Sequence, residues 1–384
     1  MSPDALLEFG IHPERGFLPE PDPAEKLPEE LSFLDEYAKE LPQWMERGRV
    51  REELDRLWPL KGKHYLLLED IRLRRRALML YCFFASAYVF EKGKESSARI
   101  PTGIAMPLST LAWWLDVPPI LAYQSYALAN WRRKDPNGPL VVENMENLVN
   151  FVTIPDEWGF ILPHVEINAK AATAMRTAFP LMEAVEKGAS DLVEAYLWEI
   201  GYSVGAMVAT LAKIRKYCDP SVYYREVRPY IQKFVNVIYL GVKKYGGEPQ
   251  SFNGESGAQD SNLPSLDALL GIRHRAPEDN EELKRFLWFL EEAQKYMPVG
   301  HRRFIKTLRE NSRVREFVLR SNPRVKEAYN FGVERIADFR HGHLGLAIDY
   351  IHKPMPQETL GTFGTPFMKW LNWLREETLS HKIA

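Results

Sequence analysis

The chain has 384 residues, of which 45% are hydrophobic and 27% charged, with a formal net charge of −2. A chain of this length can bury a large core, and its balanced charge argues against the strongly basic surface of a nucleic-acid-binding protein. Only two cysteines occur, Cys82 and Cys218. We therefore expect no disulfide framework or cysteine-rich metal site, and a reducing, cytoplasmic compartment.

The first thirty residues contain six prolines, which predicts an extended strap on the surface of the protein. They show no basic stretch followed by an apolar run, so no signal peptide is predicted. The longest mainly apolar run, 77–90, has 14 residues. Because a bilayer needs about 20 apolar residues, this run predicts a buried core helix, and no membrane partner is expected.

Helical spacing of apolar residues dominates from Leu31 onward, and no long alternating strand pattern, phosphate-binding glycine loop or internal repeat is visible. Helices are predicted over the ranges 51–58, 65–90, 109–115, 120–131, 171–187, 191–217, 222–244, 281–296, 301–311 and 324–352. We therefore predict an all-α protein. It is expected to have a smaller, mainly helical N-terminal domain, 1–150, and a large helical domain, 151–384.

Two loops differ in composition from the helical segments around them. Segment 245–262 is long and rich in Gly, Ser and Asn, and segment 353–366 combines prolines with glycines. Loops of this length in a compact helical protein are often functional. We expect both loops to contribute to a binding site.

Three of the nine histidines, His341, His343 and His352, lie in one predicted helix. On a helical projection, His343 falls on the edge of an apolar stripe formed by Ile336, Ala337, Leu344, Ala347 and Ile351. A histidine in that place is either a partly buried polar residue with a hydrogen bond or a single axial ligand to a haem. Periodicity alone leaves both interpretations open.

Nine short sequence blocks decide between the two interpretations of His343. They occupy residues 15–23, 117–136, 164–171, 227–231, 256–272, 296–305, 314–319, 339–344 and 361–371. On these blocks, which keep their order over nearly the whole chain, the sequence resembles the indoleamine 2,3-dioxygenase family. The resemblance implies a haem b enzyme that inserts both atoms of O2 across the C2–C3 bond of the indole of tryptophan, giving N-formylkynurenine, and that needs an external reductant.

The resemblance also assigns the residues around the haem. The family motif F-R-x-x-H-L is present as Phe339–Leu344 in the stretch "FRHGHL", which makes His343 the expected iron ligand. Arg340 is expected to pair with Asp267 near the haem edge, although without the family the two would be unrelated surface charges. Ser256 and Gly257 are expected in a loop that runs over the haem, where small residues let the backbone approach closely.

Four residues are expected to hold the substrate by the same resemblance. Arg228 would bind the substrate carboxylate through two parallel hydrogen bonds, whereas without the family it would be a surface arginine. Tyr223 would stack near the indole, where mammalian members have a phenylalanine. Tyr123 and Tyr126 would line the indole end, or else be ordinary core residues.

The distal face and the closing loop complete the expected site. His164 is either a distal-pocket residue, donating a hydrogen bond to O2 or the indole, or a helix-start residue after Pro163. Thr362 is expected to contact the substrate, and Phe363, at the position of a family glycine, is expected to narrow the pocket. No side chain is assigned as a catalytic acid or base, because oxygen addition across C2–C3 removes no proton in its first step.

Two other functions stay open on the sequence. The runner-up is a related haem enzyme that oxygenates or rearranges a different indole in secondary metabolism. A haem-binding sensor without turnover needs the same iron ligand but neither Arg228 nor the loop at 361–365.

Overall fold

Helices dominate the structure, a computed structural model that describes residues 3–384. About 62% of the chain is helical and 4% is in strands, which confirms the all-α prediction. The helices of the N-terminal part are α1 Ser32–Arg47, α2 Val50–Leu54, α3 Gly62–Leu66, α4 Ile71–Val89 and α5 Thr102–Trp114. Those that follow are α6 Pro155–Glu186, α7 Ser190–Leu211, α8 Ile214–Tyr217, α9 Pro220–Val222, α10 Asn262–Leu270, α11 Glu281–Gln294, α12 Val299–Asn311, α13 Val314–Leu319, α14 Pro323–Ala347 and α15 Phe367–Leu379.

The strands are short, two to six residues each. The five are β1 Arg99–Ile100, β2 Arg132–Arg133, β3 Met145–Glu146, β4 Phe234–Tyr239 and β5 Gln250–Phe252. Three of them form a sheet in the order β1-β4-β5, in which β1 and β4 are parallel and β4 and β5 are antiparallel. The segment that follows β5 leads directly into the candidate site.

Helix α4 is the buried core helix expected from the apolar run. All of its residues from Ala77 to Val89 are buried. Within residues 3–384, none of the helices is both long enough and apolar enough to cross a bilayer.

The proline-rich N-terminal segment differs from the surface strap that we expected, and its first two residues lie outside the described range. A short 3-10 helix covers Pro3–Phe9. Leu6, Ile11, Phe17 and Leu18 are all buried in the core. The prolines set an extended path, but the apolar residues between them insert under the surface because burying them is favourable.

Two predicted helices are wrong. Segment 222–244 contains two short helical turns, Tyr223–Val227 and Arg228–Ile231, and then strand β4. The strand sequence, FVNVIY, is rich in β-branched and aromatic residues, which favour strands. Segment 120–131 keeps only one wide turn, Gln124–Leu128, and the Tyr123 amide before it donates to the Gln259 side chain at 2.9 Å.

Helices α6, α7, α14 and α15 pack together and carry most of the site. Helix α14 begins where the Asn322 side chain accepts hydrogen bonds from the amides of Arg324 and Val325, with Pro323 in its first turn. It runs for 25 residues and ends in a wide turn, Ile348–His352. His343 therefore lies one turn before the end of a long, firmly capped helix.

One hydrophobic cluster includes residues from Leu6 to Ile383 and joins the two predicted domains. Its members come from α1, α4 and α5 as well as from α6, α7 and α14. The division of the chain at residue 150 stays a prediction.

Candidate active site

The His343 side chain opens onto two adjoining cavities. The Tyr223 cavity is lined by Tyr223, Glu255, Ser256 and Thr362, among others, and holds about 780 Å³ including space open to solvent. The Arg340 cavity is lined by Tyr123, Asp267 and Arg340, among others, and holds about 750 Å³ on the same measure. Both share the residues His164, Leu211, Gly257, His343, Trp370 and Leu371.

The ring of His343 is neutral and without a hydrogen bond to any residue in the described range. Burial, with a contribution from nearby His164, lowers the pKa of His343 to about 4. A neutral imidazole with a free nitrogen is the form that binds iron. His343 therefore has the chemistry of a haem ligand.

Gly257 faces the imidazole from the loop between β5 and α10. A Cβ built on this glycine would lie 3.7 Å from His343 Nε2. Any side chain here would take up the space directly in front of the ring. The absence of a side chain at Gly257 leaves that space for a ligand of the imidazole.

Arg340 and Asp267 are brought together beside the Arg340 cavity. Arg340 Nη2 lies 2.5 Å from Asp267 Oδ2, and Arg340 Nη1 also contacts the Thr378 hydroxyl. His274 Nε2 lies 3.1 Å from the same carboxylate oxygen. Although burial by itself would raise it, the Arg340 and His274 charges hold the pKa of Asp267 at about 2. The carboxylate is therefore ionised at neutral pH.

Buried polar atoms around the cavities fit a haem. Trp370 lines both cavities, and its indole Nε1 is a buried donor without an acceptor among the described residues. Arg340 Nε is a second buried donor that has no partner within the described part of the chain. Unpaired buried donors are rare and call for an explanation. The carboxylates of a haem, with its iron held by His343, would supply acceptors of the right charge.

His164 lies inside α6, nine residues after its first residue, so the helix-start interpretation is wrong. Its Nδ1 is 2.8 Å from the Phe160 carbonyl oxygen, and burial lowers its pKa. The neutral ring thus carries its proton on Nδ1, which donates to the carbonyl. Its Nε2 is left as a hydrogen-bond acceptor, so the donor role that we expected for this histidine does not fit.

Tyr223 and Phe160 form an aromatic wall in the Tyr223 cavity. Their ring centres are 4.4 Å apart at 35°, and both residues line the cavity with His164. An indole could stack against such a wall. Burial raises the pKa of the Tyr223 hydroxyl, which has no hydrogen bond to any side chain or backbone group that the structure describes.

Arg228 is buried next to this wall but does not line either cavity within the described residues. Its Nη2 donates to the Leu360 carbonyl at 2.9 Å, and its Nη1 lies 3.6 Å from Glu358 Oε2. Its Nε is buried and has no partner in the described range. The guanidinium therefore holds the loop 353–366 and keeps one donor free.

The two tyrosines predicted at the indole end take different places. Tyr123 lines the Arg340 cavity, accepts a hydrogen bond from Asn168 at 3.0 Å and lies edge-on to the His164 ring. Tyr126 lines neither cavity among the described residues and packs on Phe83 in the core. Its hydroxyl reaches Glu157 at 3.4 Å. Of the two, only Tyr123 is near His343.

The closing loop has its threonine at the cavity and its phenylalanine in the core. Thr362 and Gly361 line the Tyr223 cavity, and Thr362 donates its hydroxyl proton to the carbonyl of Glu255. Phe363 does not line that cavity. It is 1% exposed, and its ring packs on Tyr296 and Phe289, at 5.6 and 6.4 Å between ring centres. The expectation that Phe363 narrows the pocket is not met, because its ring fills a slot beneath the loop.

Glu255 was missed by sequence reasoning. It is 5% exposed and lines the Tyr223 cavity, but a single acidic residue in a Gly-, Ser- and Asn-rich loop carries no signal of burial. Its place at the cavity is apparent only once the turn Arg228–Ile231 and the loop residue Thr362 bind its main chain.

Comparisons with known proteins place the chain in one family. A family profile described as "Indoleamine 2,3-dioxygenase" matches residues 5–362. Indoleamine 2,3-dioxygenase 1 of Rattus norvegicus is 33% identical, with 97% of this chain and 94% of that protein covered. Indoleamine 2,3-dioxygenase of Saccharomyces cerevisiae is 28% identical, with 99% and 94% covered. Indoleamine 2,3-dioxygenase acdA of Aspergillus candidus is 29% identical, with 98% and 97% covered.

Proposed function

Because this chain belongs to the indoleamine 2,3-dioxygenase family, whose members are haem-dependent dioxygenases that use O2, we propose that its substrate is L-tryptophan or a closely related indoleamine. The product is N-formylkynurenine or its counterpart. The observation that carries the proposal is one cavity in which the free imidazole of His343, the aromatic wall of Tyr223 and the loop residue Thr362 meet.

Each residue has a stated task in this proposal. His343 would hold the haem iron, Arg340 and Trp370 would donate to the haem carboxylates, and the haem would supply the chemistry that activates O2. Tyr223 and Phe160 orient the indole by stacking. The indole N–H donates to His164 Nε2, because the other nitrogen of that ring is already engaged by Phe160. Holding the ring in one orientation fixes which carbon–carbon bond faces the oxygen.

The substrate carboxylate is proposed to bind at Arg228. Its Nε is free, and its Nη1 would become free once Glu358 moves aside, so the guanidinium keeps donors for a substrate carboxylate. Leu360 ties the same arginine to the loop 353–366. Binding of the carboxylate is therefore coupled to the position of the loop, which excludes water from the cavity when it is closed.

An external reductant and a reducing compartment are part of the proposal. The haem iron would have to be ferrous to take up O2, so we propose that an external reductant supplies the electron. Cys82 and Cys218 are both free thiols in the structure, as expected for a cytoplasmic protein.

The second candidate is a haem oxygenase that acts on a different indole. The observation in its favour is that Arg228 does not line the cavity and already contacts Glu358. An indole without a carboxylate would leave this contact intact.

Turnover by the ferrous, haem-loaded protein in air distinguishes the two. We expect L-tryptophan to give the near-ultraviolet absorbance of N-formylkynurenine, and Arg228→Ala to lower kcat/KM for L-tryptophan by roughly a hundredfold, as for loss of a buried charged partner. Arg225→Ala, at an exposed arginine one turn away, is the control. If tryptophan is inert and a carboxylate-free indole is oxidised regardless of Arg228, the second candidate is correct.

A further inference from the structure

Glu255 is fixed by its main chain at the edge of the Tyr223 cavity. Its amide donates to the Ile231 carbonyl at 3.1 Å, and its own carbonyl accepts the Thr362 hydroxyl proton. One bond ties it to the turn that contains Arg228 and the other to the closing loop. Its side chain therefore starts from a defined point on the cavity wall.

The carboxyl group of Glu255 has no partner. None of the described residues gives it a hydrogen bond or an ion pair, although Glu255 is only 5% exposed. Burial raises the pKa of Glu255 to about 8. Leaving a carboxyl group unpaired in a protein interior costs free energy, and native proteins seldom do so without a functional reason.

The surroundings of Glu255 indicate what kind of ligand its carboxyl group would bind. Burial, with a smaller contribution from Glu255 when it is ionised, raises the pKa of the Tyr123, Tyr126 and Tyr223 hydroxyls, so all three tyrosines are neutral at physiological pH. Arg228 also acts on the Tyr223 hydroxyl, with the opposite sign, yet it contacts Glu358 and not Glu255. The cavity thus offers a carboxyl group that a cationic partner would hold in its ionised form, and a separate cationic group lies beside it.

We propose that Glu255 binds the ammonium group of an indoleamine substrate and makes the cavity selective for indoles that carry an amine. The inference rests on the proposed function, because it concerns the substrate of the same cavity. In tryptophan the ammonium and carboxylate groups are attached to one carbon. Glu255 would bind the ammonium group and Arg228 the carboxylate. Both residues influence the pKa of the Tyr223 hydroxyl, in opposite directions.

Binding of two simple indoles tests the proposal without turnover. Tryptamine carries only the ammonium group, and 3-indolepropionate carries only a carboxylate. We would titrate each into the ferric, haem-loaded protein and follow the haem spectrum. Glu255→Gln keeps the size and removes the charge, so it should weaken tryptamine binding by roughly ten- to a hundredfold. It should leave the binding of 3-indolepropionate unchanged or tighter.

Two further variants sharpen the test. Glu248→Gln removes an exposed carboxylate from the preceding loop and should change neither affinity. Glu255→Asp keeps the charge and should still bind tryptamine in preference to 3-indolepropionate. Its result shows whether a loss in Glu255→Gln comes from the missing charge or from a substitution that this position does not tolerate. The proposal is overturned if Glu255→Gln changes both affinities equally or changes neither.

This outcome is independent of the proposed reaction. A protein that binds tryptamine through Glu255 but oxygenates no indole would refute the proposed function and keep the inference. If the wild type and Glu255→Gln both oxygenate tryptophan and show the same preference for amines, the proposed function is kept and the inference about Glu255 is refuted.

Discussion

His343 differs from the two other histidines in its segment by what surrounds its ring. His341 is exposed on α14, and His352 lies in the wide turn after the helix. Only His343 lines the two cavities and faces the bare backbone of Gly257. A shift of two positions along one helix thus separates a solvated side chain from one that can hold a metal.

Removing the His343 ring should remove the haem. His343→Ala deletes the one imidazole aimed at the cavities from α14, so the purified variant should lack the Soret band and should not recover it when haem is added. His341→Ala, at the exposed position nearby, should bind haem like the wild type. A His343→Ala protein with the wild-type haem content and spectrum would contradict the assignment.

At the scale of elements, three helices meet at Arg340. This residue of α14 contacts Asp267 of α10 and Thr378 of α15, and the Asp267 carboxylate also contacts His274. A buried group that is hydrogen-bonded on two sides fixes the relative positions of the helices that carry it. Arg340 lies about one helical turn before His343 on α14. Its contacts therefore hold in place the part of α14 that bears His343.

Acid should weaken the Arg340–Asp267 ion pair and so lower its contribution to the free energy of unfolding. The pKa of Asp267 is about 2 in the folded protein, against about 3.9 for an ordinary aspartate. Because the folded pKa is the lower one, the ion pair stabilises the fold fully above about pH 4, and its contribution is lost as the pH falls through about 2. Asp267→Asn should lower the unfolding free energy by roughly 3–5 kcal/mol near pH 7 and by much less near pH 2.

Denaturant unfolding over a pH series measures this effect. Asp338→Asn is the matched control, since Asp338 pairs with Arg335 at 2.8 Å on the exposed face of the same helix. Such a surface pair contributes about 0–1 kcal/mol. Equal losses for the two variants, or a loss for Asp267→Asn that does not change with pH, would contradict the account.

The loop 353–366 depends on Phe363 as an anchor. Because its ring packs on Tyr296 and Phe289, Phe363→Gly should release the loop and not widen the pocket. Loss of a buried phenylalanine ring costs roughly 3–5 kcal/mol. We expect a KM for tryptophan several times higher and faster cleavage of this loop by proteinase K, mapped by mass spectrometry.

The control for this prediction is Met368→Ala, which removes a side chain that is 40% exposed at the start of α15. It should change neither the KM nor the cleavage pattern. Higher activity of Phe363→Gly on tryptophan would show instead that the ring narrows the pocket.

At the scale of the whole molecule, the sequence predicted what depends on local pattern and on family motifs. The helical class, the buried run in α4 and the choice of His343 as candidate ligand came from these. Strand β4 was missed because its apolar residues also fit a helix when its partner strands are unknown. The packing of Phe363 and the burial of Glu255 depend on segments far apart in the chain, which no local pattern reveals.

The fate of both oxygen atoms of O2 shows whether this chain is a dioxygenase that depends on His343. The ferrous, haem-loaded protein would be supplied with L-tryptophan under 18O2, and the product analysed by mass spectrometry. The account predicts N-formylkynurenine that carries two 18O atoms, with no such product from His343→Ala. A product with a single 18O atom, or no oxygenated product from the fully haem-loaded protein, would contradict it.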